Sequence, residues 1–194
     1  IHGYTGSTSD FADLPQVLQR AFNADVWFPL LPGHGTSIDD LKGVTLEDLI
    51  HEVESYIAES IRKGKKVVLI SLSLGAQVAL YLASKHAVEA VVAVAVTHKL
   101  KFPLNIPGIG VVSFFKRKWK KIFTTEELKL REHAFYYHDM LFDGFFISRK
   151  LRELVENGAK DIRMPVLFIH SSEEQLGDSD GISELSRLIP SKQV

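Results

Sequence analysis

Lys66 to Leu72 (KVVLISL) is a continuous, largely β-branched run that passes without a break into a helical pattern from Leu74 to Lys85. A segment apolar at successive positions has no polar side to offer water, so it suits a strand buried on both faces. A helix following directly is how a parallel sheet covers such a strand. Val88 to Val96 reads as a second buried strand and Pro165 to Ile169 (PVLFI) as a third. Thr45 to Arg62 carries the clearest helical signal, with Leu46, Leu49, Ile50, Val53, Ile57 and Ile61 at helical spacing. Thr45 is placed to cap it, Asp48 stands three residues on, and Gly64 closes it. Asp10 to Phe22 sets Phe11, Leu14, Val17, Leu18 and Phe22 on roughly one helical face. Helices alternating with buried strands predict an α/β fold around a mainly parallel sheet flanked by helices.

One region breaks this alternation. From about Leu100 to Asp161 the chain is too long for an ordinary strand-to-strand connection. It holds 11 of the 19 aromatic residues, enough to pack an insertion onto the body of the domain. The expected organisation is therefore a core of residues 1–99 and 162–194 with a mostly helical cap over residues 100–161.

Charge and composition remove several functions. Lys plus Arg number 23 against 24 Asp plus Glu, so no broad field steers nucleic acid onto the protein. With no cysteine, disulfides, thiolate-bound metal and a cysteine nucleophile are excluded. No apolar run approaches the roughly 18–20 residues of a membrane span. The opening Ile1-His2-Gly3-Tyr4 has no basic leader pattern, and the missing start methionine suggests a trimmed sequence. A soluble cytoplasmic protein is the expectation.

The chemistry concentrates at Ser71-Leu72-Ser73-Leu74-Gly75, the junction of a buried strand and a helix. This resembles the G-x-S-x-G nucleophile elbow of α/β-hydrolases, in which a sharp turn lifts the serine above the sheet edge. Small residues two before and two after the serine let neighbouring backbone pass close. Ser71 stands where the pattern has its first glycine, a departure. Ile1-His2-Gly3-Tyr4-Thr5-Gly6 resembles the His-Gly loop of the same superfamily. By that resemblance the backbone N–H groups of Tyr4 and Leu74 form the oxyanion hole, each donor worth roughly 3–4 kcal/mol. Leu31-Pro32-Gly33-His34-Gly35 is similar to the P-G-H-G loop of the carboxylesterase and monoacylglycerol-lipase branch, where it is mainly structural. Taken together, these motifs identify the chain as a member of the α/β-hydrolase superfamily, in its bacterial carboxylesterase and monoacylglycerol-lipase-like branch.

The resemblance implies a serine hydrolase of carboxylic esters, with no cofactor and no metal, acting on a small-molecule ester through an acyl-enzyme. Its acid follows the late strand in a stretch like P-x-L-x-I-x-G-x-x-D, which puts Glu174 in the acid position. Glu173 is one residue off and reads as solvated. Asp178 and Asp180 are fallbacks, Asp180 being better suited to cap a helix from Ile182 to Ile189. The third member of the triad is missing: histidines occur at 2, 34, 51, 86, 98, 133, 138 and 170, and none follows Glu174. The family places its base after the next strand, so the expectation is a histidine beyond residue 194 and the first strands before Ile1. His133 or His138 would serve only if folded down over Ser73. Cap aromatics suggest short or medium acyl esters or monoglycerides, with a thioesterase as a near alternative. Ser71 and the absent base motivate a reading from another class, a non-catalytic protein that binds an apolar ligand or partner.

Other patterns lead nowhere. His51-Glu52-Val53-Glu54-Ser55 has serine where a zincin needs its second histidine. Gly33-His34-Gly35 and Gly108-Ile109-Gly110 lack the third glycine of a dinucleotide loop. Lys116-Arg117-Lys118-Trp119-Lys120-Lys121 reads as a solvated helix face.

Overall fold

The computed structural model describes residues 1–101, 118–121, 128–129, 132, 134–174 and 176–190. Its centre is a three-stranded parallel sheet of β1 (Val68–Leu72), β2 (Ala90–Val94) and β5 (Val166–Ile169), in the order β1-β2-β5. Ile1 continues it past β1: Leu72 N donates to Ile1 O at 2.9 Å and Ile1 N to Ile70 O at 2.7 Å. All the strand ends therefore open on one edge, where Ser73, Thr97 and Glu174 follow β1, β2 and β5. A second, antiparallel pair joins β3 (Lys118–Lys120) to β4 (Asp139–Leu141).

Among the described residues the α-helices are α1 (Leu14–Phe22), α2 (Leu46–Arg62), α3 (Leu74–Ala83), α4 (Asp143–Gly158) and α5 (Ser179–Leu188). The start of α2 is a reciprocal cap: Asp48 N donates to Thr45 Oγ1 at 3.1 Å and Thr45 N to Asp48 Oδ2 at 2.9 Å. Leu46, Leu49, Val53 and Ile57 bury its inner face, each worth about 1.5–3 kcal/mol. Helix α3 is nearly all buried and packs against β1, β2 and α4. The core lies between these layers, around Leu80, Leu82, Val91, Ala93 and Leu151.

Four expectations need correction. Among the described residues burial alternates along the strands: Leu69, Ser71, Val91, Ala93 and Val166 are buried, Ile70, Leu72, Val92 and Val94 half-buried, and Val68 is 55% and Ile169 49% exposed. The first helix does not run from Asp10 to Phe22. A 3-10 turn, Thr8–Phe11, ends at Ala12 (φ 45°), α1 follows, and Phe22 is 74% exposed. The basic run forms a strand at Lys118–Lys120, where Lys118 pairs with Asp39 at 3.4 Å and Lys121 Nζ donates to Thr5 Oγ1 at 2.7 Å. The last helix begins earlier than expected, and its cap is Asp178, whose Oδ1 accepts from Asp180 N at 3.0 Å. Lys116, Arg117, His133 and most of the residues expected to start the cap lie outside the described residues.

Candidate active site

Ser73 sits between β1 and α3 at φ 54°, ψ −117°. A non-glycine residue at positive φ is strained by about 1–3 kcal/mol, and such strain persists only where the surroundings over-determine it. Here they do: Ser73 N donates to Val94 O at 2.8 Å, and Ser73 O accepts from Ala76 N at 3.0 Å. The side chain makes no helix-capping bond, so its hydroxyl is left for other work. At Gly75 a Cβ would stand 2.5 Å from Ile1 O and still closer to His2 O. Ser71, fully buried, fits the narrow first position because its Oγ donates to Val92 O at 2.9 Å.

The 1–6 loop arches over this turn, and a Cβ on Gly3 would be 3.3 Å from Ser73 Cβ. Two buried histidines hold the loop. Leu31 N donates to His2 Nε2 at 3.1 Å, so His2 Nδ1 carries the proton and donates to Gly3 O at 2.8 Å. Burial pulls the pKa of His2 down to about 3, with His34 pushing the same way. His34 Nε2 lies 2.7 Å from Tyr4 O, and Nδ1 lies 3.0 Å from Pro32 O. His34 therefore clamps the peptide that follows Tyr4 and does not approach Ser73 as a base. Among the described residues the N–H groups of Tyr4 and Leu74 meet no acceptor. Burial, with Asp143 nearby, pushes the pKa of the Tyr4 hydroxyl up, against a backbone contact from Gly144.

Tyr4, Ser73 and Leu74 share one small cavity of about 30 Å³, closed by Thr97, Met140, Phe145, Leu176 and their neighbours. A larger groove of about 420 Å³ lies beside the first half of β1, lined by Trp27, Val53, Tyr56 and Val68, away from Ser73. The smaller space is the relevant one, since Tyr4, Ser73 and Leu74 all line it.

Glu174 is on the same sheet edge but joins that cavity only indirectly. Its Oε1 accepts from Leu176 N at 3.1 Å, and Leu176 lines the cavity. The 170–178 loop is laced to the segment after β2, with Lys101 N donating to Leu176 O at 2.9 Å and Asp178 N to Lys99 O at 2.9 Å. Glu173 is exposed, and Asp178 is engaged as a cap. The His170 ring and Glu174 Cγ both face Gly177, within 3.3 and 3.5 Å of where its Cβ would be. His138 packs against Tyr136, ring centroids 4.9 Å apart. No imidazole among the described residues bonds to Ser73; its Oγ meets Thr97 Oγ1 at 3.1 Å. Thr97 escaped the sequence reading because a lone threonine after a strand has no pattern. Gln77, the single amide in an apolar helix, was the available clue.

The architecture has counterparts among known proteins. A family profile described as "Alpha/beta hydrolase family" matches residues 1–172, and the chain belongs to that family. A thermostable monoacylglycerol lipase of Bacillus sp. (strain H-257) is 30% identical over 86 residues, 44% of this chain. That match spans only 34% of the lipase. A structure of the metagenome-derived lipolytic enzymes LipS and LipT superposes with a TM-score of 0.80 at 16% identity, over 99% of this chain and 78% of that one. The monoacylglycerol lipase of Paleococcus ferrophilus gives 0.76 at 17% identity, over 100% and 82%. These structural likenesses establish a shared fold. Among the described residues no helix is long and apolar enough to cross a membrane.

Proposed function

We propose that the protein hydrolyses carboxylic esters through an acyl-enzyme on Ser73. The observation that carries this reading is the strained Ser73 turn at a cavity that Tyr4 and Leu74 also line, their N–H groups meeting no acceptor among the described residues. Ser73 Oγ attacks the ester carbonyl while its proton passes to an imidazole. The carbonyl oxygen, now negative, is held by the N–H groups of Tyr4 and Leu74 at the start of α3, where the helix dipole also favours anionic charge. Expulsion of the alcohol leaves an acyl-enzyme, which water resolves by the reverse steps. Glu174 orients the imidazole and stabilises its charged form. By the family resemblance that imidazole follows the strand after Glu174. Similarity to lipolytic enzymes and the apolar side chains Met140, Phe145, Leu100 and Leu176 support acyl esters such as monoglycerides as substrates.

The test is turnover of p-nitrophenyl butyrate by the full-length protein together with labelling by a fluorophosphonate probe. Ser73→Ala is expected to abolish labelling and to lower kcat by roughly 10³-fold or more. Equal rates in the two proteins would dismiss Ser73 as nucleophile and favour a ligand-binding role.

A further inference from the structure

The hydroxyl that meets Ser73 takes no part in the mechanism above. Thr97 comes three residues after β2 ends, its Oγ1 lies 3.1 Å from Ser73 Oγ, and it lines the same cavity. Its position is set by a buried amide. Gln77 lies on α3, four residues after the nucleophile, and is 1% exposed. Its Nε2 donates to Thr97 O at 3.0 Å and to Ser148 O at 3.2 Å, and its Oε1 accepts from Ser148 Oγ at 2.9 Å. A buried amide costs free energy unless its polar atoms are bonded, and an apolar residue would fill the same helical position without that demand. What the amide adds is a fixed link between the helix behind Ser73, the loop carrying Thr97, and α4.

We propose that Thr97 is a further catalytic residue of the Ser73 centre, with Gln77 as its positioning residue. The proposal rests on the reading of Ser73 as the nucleophile. A serine hydroxyl has one proton and two lone pairs. During attack the Ser73 O–H bond breaks and its proton goes to the imidazole. The O–H pair stays on Oγ. One pair of Oγ forms the bond to the acyl carbon, and the carbonyl π pair moves onto the oxygen held by Tyr4 and Leu74. Of the two lone pairs left on Oγ, one accepts from Thr97 Oγ1–H, and Thr97 keeps its proton throughout. Oγ is electron-rich while its proton moves to the imidazole ahead of C–O bonding, and again while the C–O bond breaks in deacylation; a hydrogen bond to it is stronger in those states than between neutral hydroxyls. It also holds Ser73 in one rotamer before attack. The same bond forms again as Ser73 leaves the acyl group during deacylation.

Four variants of the full-length protein test this: Thr97→Val, Thr97→Ser, Gln77→Leu and Ser73→Ala. Each is read by the fluorophosphonate labelling rate and by kcat and KM on p-nitrophenyl butyrate. Thr97→Val keeps the shape and removes the hydroxyl, so kcat and labelling should fall about 10- to 100-fold while KM moves less than about threefold. Thr97→Ser restores the hydroxyl and should recover to within about threefold of wild type. Gln77→Leu should lower kcat in the same direction as Thr97→Val. Wild-type labelling and kcat in Thr97→Val would overturn the role of Thr97, and Ser73→Ala failing to label would show that the nucleophile reading survives. Equal losses in Thr97→Val and Thr97→Ser would replace the hydroxyl's role with one of packing. Labelling that persists in Ser73→Ala would overturn the nucleophile assignment and the proposal with it.

Discussion

At Gly75 the missing side chain is what lets the 1–6 loop lie over the Ser73 turn, because two carbonyl oxygens occupy the space a Cβ would take. Gly75→Ala must therefore push the loop away or distort the start of α3. The expected loss is about 1–3 kcal/mol in chemical denaturation, together with slower fluorophosphonate labelling as the Tyr4 N–H moves. Ser71 shows how a departure from the family pattern is absorbed: its hydroxyl bonds to Val92 O and adds little bulk. Glu174 presents a different case. Its carboxylate is bonded to Leu176 N in the described structure, so its proposed task depends on an imidazole reaching it. Glu174→Gln keeps the size and removes the charge. On the proposed mechanism kcat should drop by about 10²-fold or more. Retention of wild-type turnover would take Glu174 out of the mechanism.

Among the elements, α5 shows the difference between a pattern and a cap. Asp178 and Asp180 both precede the apolar stretch, and the sequence reading favoured Asp180. In the structure Asp178 accepts from Asp180 N, so the cap belongs to the earlier residue and Asp180 falls within the first turn. Asp178→Ala should cost about 1 kcal/mol, and Asp180→Ala about half of that or less, as measured by urea unfolding. The reverse ranking would restore the sequence assignment. Helix α2 was readable because Thr45 and Asp48 signal its start locally and its apolar residues keep one face for four turns. Helix α1 had the same periodicity, yet Leu14 and Leu18 are only half-buried and Val17 and Phe22 are exposed. Periodicity therefore reports a face able to be buried, and packing decides whether it is.

For the molecule as a whole, two buried histidines make stability depend on pH. His2 is fully buried, and His98 lies between α4 and α5 with 2% exposure. Burial, with Arg152 opposing protonation, lowers the pKa of His98 to about 4. Glu156 Oε1 stands 3.3 Å from its Nε2, and Glu184 and Lys99 face it from α5 and from its own segment. Glu184 favours the charged form, but desolvation outweighs it. Both histidines stay neutral in the folded state while the unfolded chain takes up protons below pH 6.5. Stability is therefore full above about pH 6.5 and falls as the pH drops towards 4 for His98 and 3 for His2. Between pH 7 and 5 each should cost about 2 kcal/mol. Urea unfolding at the two pH values checks this, and His98→Asn should flatten the dependence. A wild-type stability unchanged at pH 5 would contradict it.

The sequence by itself determined the class of fold, the strand-to-helix turn at Ser73 and the two loops that border it. Those signals are local: run length, periodicity, and small residues at fixed offsets. Tertiary structure alone decided that Thr97 meets Ser73 and that Gln77 holds Thr97 in place. These depend on residues 20 or more positions apart along the chain being brought together by parallel strand register and helix packing, for which neighbouring residues carry no signal.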